Sequence, residues 1–311
     1  MKKICFRCMI KEVNERILIY MYDGTTEKLI IVRGGGDLAT GTIHCLVRCG
    51  FPVLVLETAH PSAIRRQVAF SEAVYDGSAV VEGIICRRAK DLNQAFEIMH
   101  SGQAALLVDE TCQILKELRP WALVDAILAK RNLGTHRDMA NRTIALGPGF
   151  TAGKDVDYVI ETKRGHNLGR IIEHGSAAPN TGIPGIIGGF GKERVLHAPA
   201  AGRIHPLVPI GSHVEKDQIL AWIDPFGPEG NEKISAAEKD AAGEKNSGTD
   251  RIPVHASLTG LLRGMIRDGY PVSKGFKIAD IDPRDSEWEN CFTISDKARC
   301  IAGSVLEALM L

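Results

Sequence analysis

The stretch IIVRGGGDLATG, residues 30–41, runs a short apolar segment into three glycines and then into an amphipathic segment. Gly34, Gly35 and Gly36 allow a tight turn and close backbone approach. The segment that begins near Asp37 predicts a helix whose first N–H groups and positive dipole end face an anion. The next apolar run, Phe51 to Leu56, closes on Glu57, where a dinucleotide fold places the carboxylate that accepts from ribose hydroxyls. Together these features predict a Rossmann-type βαβ opening. Ala39 stands at the third position of Gly34-x-Gly36-x-x-Ala39, which helix–strand packing tolerates, while Asp37 puts negative charge where the anion belongs. A plain strand-to-helix turn is the alternative reading.

Outward from this segment, IIV, PVLVL, ALLVD, WALVDAIL, TIAL and DYVIE alternate with amphipathic stretches between Leu29 and about Ile160. This order predicts strands of a mostly parallel sheet, with helices over Leu38–Cys49, Ala63–Val74 and Leu92–His100. The fold class expected is α/β: a Rossmann-like, mostly parallel sheet over residues 29–190, followed by an all-β module. Residues 1–28 read as an N-terminal extension, and residues 285–311 as a helical tail.

The all-β expectation rests on an internal repeat. Residues 197–224 align without a gap on residues 255–282, an offset of 58, with identities at His197/His255, Ala198/Ala256, Gly202/Gly260, Gly211/Gly269, Val214/Val272, Lys216/Lys274, Ala221/Ala279, Ile223/Ile281 and Asp224/Asp282. Two short β units that cannot bury their apolar faces alone should clasp each other. The pattern resembles the barrel-sandwich hybrid of biotinyl and lipoyl domains and gives a module over 191–284. Residues 225–251 read as a solvated, mobile loop, so Lys233, Lys239 and Lys245 are poor attachment points for a swinging arm.

Three further segments carry candidate chemistry. Arg65 and Arg66, near the start of the helix expected over Ala63–Val74, offer forked donors to a phosphate or carboxylate; a solvated, salt-bridged face is the alternative. ALGPGFTAGKD, residues 145–155, is a second glycine turn with Gly149, Thr151 and Lys154. It departs from a Walker A loop by its Gly147–Gly153 spacing and by Asp155 in place of the magnesium-binding hydroxyl. Downstream, Lys163, Arg164, His166 and Arg170 lie within eight residues, a cationic seat in which His166 is the candidate catalytic or titrating group. The candidate cofactor-binding set is therefore Gly34, Gly35, Gly36, Asp37, Thr40, Gly41, Glu57, Arg65, Arg66, Gly149, Thr151, Lys154, Arg164, His166 and Arg170. No metal site is expected.

Composition narrows the partners. Lys+Arg and Asp+Glu both number 38 in 311 residues, which points to neither nucleic acid nor an anionic membrane as a bulk partner. No apolar run reaches the roughly 20 residues that span a bilayer, and the start of the chain lacks a signal peptide's apolar centre. A cytoplasmic protein is expected, its eight cysteines free thiols. Cys5-x-x-Cys8 reads as part of a loosely ordered leader, and Cys45 and Cys49 as packed core thiols.

Longer stretches point further: RGGGDLATG (33–41), AIRRQVAFSEAVYDG (63–77), VDAILAKRNLGT (124–135), ALGPGFTAGKDVDYVIETKRGHNLGR (145–170), NTGIPGIIGG (180–189), HAPAAGRI (197–204) and KGFKIADIDPR (274–284). Through them nearly the whole chain resembles the YqeB-like accessory proteins of selenium-dependent molybdenum hydroxylase systems, distant relatives of the XdhC-like maturation factors. The resemblance implies a role in maturing such a hydroxylase, with a molybdopterin-type cofactor or a nucleotide as ligand. It implies the hydroxylase or its cofactor-loading proteins as partners, and a Cys45 or Cys86 thiolate handling sulfur or selenium. An NAD(P)-dependent oxidoreductase and a non-catalytic scaffold that docks the hydroxylase are the other readings, and self-association is open.

Overall fold

The computed structural model describes residues 28–180, 185–226 and 251–311. They form two compact units: unit 1 comprises the chain through Ala59, Ala69–Asn180 and Ile294–Leu311, and unit 2 comprises His60–Val68 and Thr181–Thr293.

Unit 1 is built on a nine-stranded sheet of β1 (Ile30–Arg33), β2 (Val53–Glu57), β3 (Ser78–Val81), β4 (Ile84–Arg88), β5 (Ala104–Val108), β6 (Ala122–Asp125), β7 (Arg142–Leu146), β8 (Tyr158–Ile160) and β9 (Ile171–Ile172), in the order β3-β4-β5-β2-β1-β6-β7-β8-β9. Central strands such as IIV in β1 and VLVL in β2 are buried residue after residue, as strands covered on both faces require. Helices α1 (Asp37–Arg48), α2 (Ala73–Asp76), α3 (Leu92–His100) and α4 (Asp296–Met310) belong to the same unit.

This architecture corrects the Rossmann-like expectation, although six of the sheet's eight strand pairings are parallel. The sheet is mixed, because β3 pairs antiparallel with β4 and β9 antiparallel with β8 at its two edges. The crossovers are also poor in helix: residues 126–141 carry one 3-10 turn, Arg137–Met139, and residues 147–157 carry none. A helix from the far end of the chain, α4, packs on α1, closely enough that a Cβ on Gly41 would stand 2.8 Å from the Ala298 Cβ.

The helix expected over Ala63–Val74 is likewise replaced, by 3-10 turns at Arg66–Val68 and Phe70–Glu72 followed by the single turn of α2. Its amides are used elsewhere. Phe70 N–H donates to Thr40 Oγ1 (2.9 Å) and Ser71 N–H to the Gly35 carbonyl (2.8 Å), so neither can close a helical ladder.

Unit 2 contains β10 (Val195–His197), β11 (Gly202–Pro206), β12 (His213–Val214), β13 (Ile219–Pro225), β14 (Ile252–His255), β15 (Gly260–Met265), β16 (Pro271–Val272) and β17 (Lys277–Asp282). They form two four-stranded antiparallel sheets, β10-β17-β15-β12 and β14-β13-β11-β16, rather than the barrel-sandwich-hybrid-like module expected. Each sheet draws strands from both copies of the repeat, and the ladder registers coincide under the offset. Arg203 pairs with Asp224 as Leu261 pairs with Asp282, and Gly202 with Val272 as Gly260 with Val214. The buried side chains between them include Ile204, Leu220, Ile223, Leu262, Ile278 and Ile281.

Gly202 and Gly260 owe their identity to this geometry. A Cβ on either Gly202 or Gly260 would stand 2.3 Å from the carbonyl oxygen of Asp224 or Asp282 respectively. Cys5, Cys8 and Lys233, Lys239 and Lys245 lie outside the described residues. Among the described residues, no helix is long and apolar enough to cross a membrane.

Candidate functional site

The carboxyl ends of β1, β2 and β6 in unit 1 gather an Arg, a Glu and an Asp. Arg33 closes β1 and is 3% exposed. Its guanidinium faces Asp125 Oδ2 (3.5 Å), donates to Thr135 Oγ1, and reaches the carbonyls of Glu110 (3.3 Å) and Leu133 (3.4 Å). Thr135 Oγ1 in turn donates to Asp125 Oδ2 at 2.6 Å, and Ile127 N–H to Asp125 Oδ1 at 3.2 Å. Burial pushes the Asp125 carboxyl above its ordinary range, against the pull of Thr135, Arg33 and the Ile127 amide. This buried pair anchors both ends of the loop that follows β6.

Glu57, at the end of β2, turns back on the glycine turn. Gly35 N–H donates to Oε2 at 2.7 Å and Thr58 N–H to Oε1 at 2.8 Å. A carboxylate offers about four lone-pair sites, so about two remain for a guest. Burial raises the Glu57 carboxyl above its ordinary value, opposed by the Thr58 and Gly35 amides and reinforced by the charge of Glu110.

The glycines of the turn divide by what surrounds them. A Cβ at Gly34, whose φ is +95°, would meet the Ala126 carbonyl oxygen at 3.1 Å, and one at Gly35 would meet Ser71 N at 2.9 Å. At Gly36 it would meet nothing within 4 Å. Gly36 is the N-cap of α1, in ordinary extended backbone and with no side-chain cap. By contrast, Asp91 caps α3 and Ser295 caps α4 through side-chain oxygens. The start of α1 is therefore open both in space and in hydrogen bonding from its cap.

Several other expected ligands are placed differently. Thr40 is buried and donates to the Gly35 carbonyl (3.2 Å), and Gly41 serves the contact with Ala298. Arg65 and Arg66 belong to unit 2, where Arg65 donates to the Asn290 carbonyl (2.7 Å) and Arg66 to that of Met265 (2.8 Å). Gly149 lies against the Arg131 backbone, 2.6 Å from where its Cβ would be. Thr151 receives its cap from Asp155 (2.8 Å) and shares a 3.1 Å contact with Ser176 Oγ. Lys154 is exposed on a stretch already returning to the amino end of β8, where Arg137 donates to the Gly153 carbonyl (3.3 Å). Arg164 forms a bidentate pair with Asp296 (2.7 Å to each oxygen), and His166 and Arg170 are exposed.

Sequence reasoning missed Arg33, Asp125, Glu161 and Lys297. Arg33 and Asp125 each end an otherwise apolar run, the signal that also found Glu57. Glu161 is 6% exposed and accepts from Lys163 N–H and Ala178 N–H, both at 2.7 Å. Lys297, in the first turn of α4, feels the carboxylates of Asp37, Glu161 and Asp296. Burial, and then Arg164, outweigh them and lower its ammonium below the ordinary lysine range. The charge of Asp37 that opposed an anion is thus partly answered from a helix more than 250 residues away.

The cysteines also differ from expectation. Cys45 is partly exposed and Cys49 exposed, rather than packed core thiols. Burial raises the Cys45 thiol, with Cys49 adding to the effect, and raises the fully buried Cys86 thiol further. Neither has the depressed range of a reactive thiolate. No group of three or more His, Cys, Asp or Glu residues able to hold a metal occurs among the described residues.

No family model matches the chain. Over 284 residues it is 46% identical to the uncharacterized protein YqeB of Escherichia coli K12, a match spanning 91% of this chain and 48% of that protein. The chain is YqeB-like. It spans about half the length of this curated relative.

Solved structures give much weaker likenesses. The ectoine utilization protein EutE of Ruegeria pomeroyi aligns at 12% identity and a TM-score of 0.22, covering 86% of this chain and 62% of that one. An aspartoacylase family protein of Mesorhizobium loti aligns at 14% and 0.26, covering 83% and 85%. A succinylglutamate desuccinylase of Silicibacter aligns at 11% and 0.25, covering 82% and 84%. TM-scores this low carry no argument about function. The Rossmann nucleotide-binding expectation gives way to the mixed sheet with its helix-poor crossovers, and nothing in these comparisons supports a molybdenum-cofactor or selenium role.

Proposed function

We propose that unit 1 is a binding domain for a small, hydroxylated, anion-bearing molecule and that the chain works as an accessory protein presenting it. The observation that carries this reading is the uncapped, open start of α1 at Gly36 beside a Glu57 carboxylate with acceptor capacity left. A guest's acidic group would take the α1 amides, and its hydroxyls would donate to Glu57. Because the Gly35 amide is already given to Glu57, the anion's place is at Gly36 and beyond it. The accessory role is what the family resemblance implies, and the binding chemistry is its physical content.

Titration of the full chain with ribose 5-phosphate, a probe carrying both kinds of group, tests the reading. Saturable binding that weakens about tenfold in Glu57→Gln is expected, since one strong hydrogen bond to a charged acceptor is worth about 1.5–3 kcal/mol. Equal binding by the wild type and the variant would remove Glu57 from the site. Pull-down of the chain with and without the bound probe, followed by identification of captured proteins, tests the accessory role; the same outcome in both states would contradict presentation of the ligand.

A further inference from the structure

The segment Ala126–Thr135, which follows β6, contacts both glycine turns of unit 1. Ala126 and Ile127 meet the position of a Gly34 Cβ at 3.1 Å, Leu128 Cδ2 that of Gly147 at 3.5 Å, and the Arg131 backbone that of Gly149 at 2.6 Å. The approach at Gly149 leaves no room for a Cβ, that at Gly34 is tight and that at Gly147 is ordinary contact, so both turns pack on this loop.

Two non-glycine residues in the loop occupy the left-handed region, Leu128 at φ +60° and Lys130 at φ +63°. Each conformation is disfavoured for a residue with a Cβ and persists only where the surroundings over-determine it. Here the surroundings are plain. Buried Arg33 holds Leu133 and Thr135, the Asn132 side chain accepts from Gly134 N–H (2.9 Å) and Thr135 N–H (2.8 Å) and donates to the Thr135 carbonyl (2.7 Å), and Gly149 supports Arg131. The result is that Lys130 and Arg131 are exposed at the top of a pinned loop. Among the described residues neither side chain makes a hydrogen bond or ion pair.

From this geometry we infer that Lys130 and Arg131 form the cationic arm of the unit 1 site, receiving the phosphate-like group of the guest between the two glycine turns. This rests on the proposed small-molecule site and names its anion-recognising residues. It replaces the roles expected of Lys154 and Arg170. A phosphate bound by a Lys–Arg pair on a pinned backbone gains charge-assisted bonds without the cost of ordering the loop.

Inorganic pyrophosphate, which has no hydroxyl groups for Glu57 to bind as carbohydrate, separates the two claims. Calorimetric titration into the full chain should show saturable binding that Lys130→Ala/Arg131→Ala weakens at least tenfold and Lys130→Arg/Arg131→Lys largely restores. Glu57→Gln should leave it unchanged or tighten it two- to threefold by removing a negative charge. Matching thermal unfolding of wild type and double variant would establish that the fold is intact. Wild-type-like affinity in the double variant, or no saturable pyrophosphate binding by the wild type, would overturn the assignment of the cationic arm. Loss of the Glu57 effect on ribose 5-phosphate with the pyrophosphate results intact would instead overturn the hydroxyl half of the site.

Discussion

Glycines in the two units look alike in sequence and do opposite work. In unit 2, Gly202 and Gly260 recur at equivalent positions of the repeat, and each has a backbone carbonyl where a Cβ would sit. In unit 1, Gly34 and Gly35 are likewise occupied by their neighbours, but Gly36 faces open space at an uncapped helix start. Gly202 and Gly260 thus serve the architecture, whereas Gly36, open above an uncapped helix start, leaves room for a guest.

The sharpest break of this contrast is Gly260→Ala. With 2.3 Å to the Asp282 carbonyl oxygen and φ at +156°, the methyl group forces β15 from β17. A loss of about 3 kcal/mol or more is expected, beyond the usual overpacking range, read by urea unfolding. Gly202→Ala should cost nearly as much, because its contact is equivalent; a loss below about 1 kcal/mol in either would contradict the symmetric register.

Asp282 and Asp224 sharpen the same comparison within unit 2. Asp282 is 1% exposed and accepts from Arg284 Nε (2.9 Å) and a terminal nitrogen (2.8 Å), whereas Asp224 meets Arg251 (2.9 Å) at a side chain 38% exposed. Asp282→Asn should destabilise by about 1.5 kcal/mol, since it takes the charge from a buried carboxylate whose hydrogen-bonded partner, Arg284, is itself 40% exposed, and Asp224→Asn by under about 1 kcal/mol. Burial pushes the Asp282 carboxyl up, but Arg284, through its side chain and amide, together with Arg263, holds it below its ordinary value. The stability it contributes is present above the unfolded carboxyl's value of 3.8 and is lost as pH falls through the lower folded value.

Unit 1 has its own acid-sensitive group at a milder pH. Burial lowers the His44 imidazole from 6.5, against the pull of Glu82, so the folded state resists protonation. Stability should be full above about pH 6.5 and decline as pH falls toward the lower folded value. His44→Gln should flatten that part of the pH–stability curve by about 1 kcal/mol, measured by denaturation at pH 7.5 and 5.5. An unchanged slope would mean that His44 is not the group responsible. Glu82, beside it, accepts from Ile294 N–H (2.8 Å) and Arg299 (2.5 Å), bonds that favour its left-handed turn position at φ +45°.

How much of this was legible in the sequence follows the range of the interactions. Apolar runs such as IIV, PVLVL and TIAL locate β1, β2 and β7, and Leu92–His100 is read to the residue, because local pattern and an Asp91 cap decide both. The repeat carries its own register, so the partner strands of unit 2 follow from an offset. What failed were segments governed by distant partners. The helix expected over Ala63–Val74 loses amides to Gly35 and Thr40. Arg65 is drawn to Asn290, and Lys297 reaches the field of Asp37 from the other end of the chain. No periodicity in the sequence encodes those contacts.

Gly36→Ser tests the central claim most directly, through ribose 5-phosphate affinity and denaturant stability measured on the same samples. Serine is a good N-cap, so its hydroxyl should take an α1 amide, raise stability by a few tenths of a kcal/mol, and weaken ribose 5-phosphate binding about tenfold. Affinity equal to that of the wild type, with the cap formed, would show that the open start of α1 holds no guest.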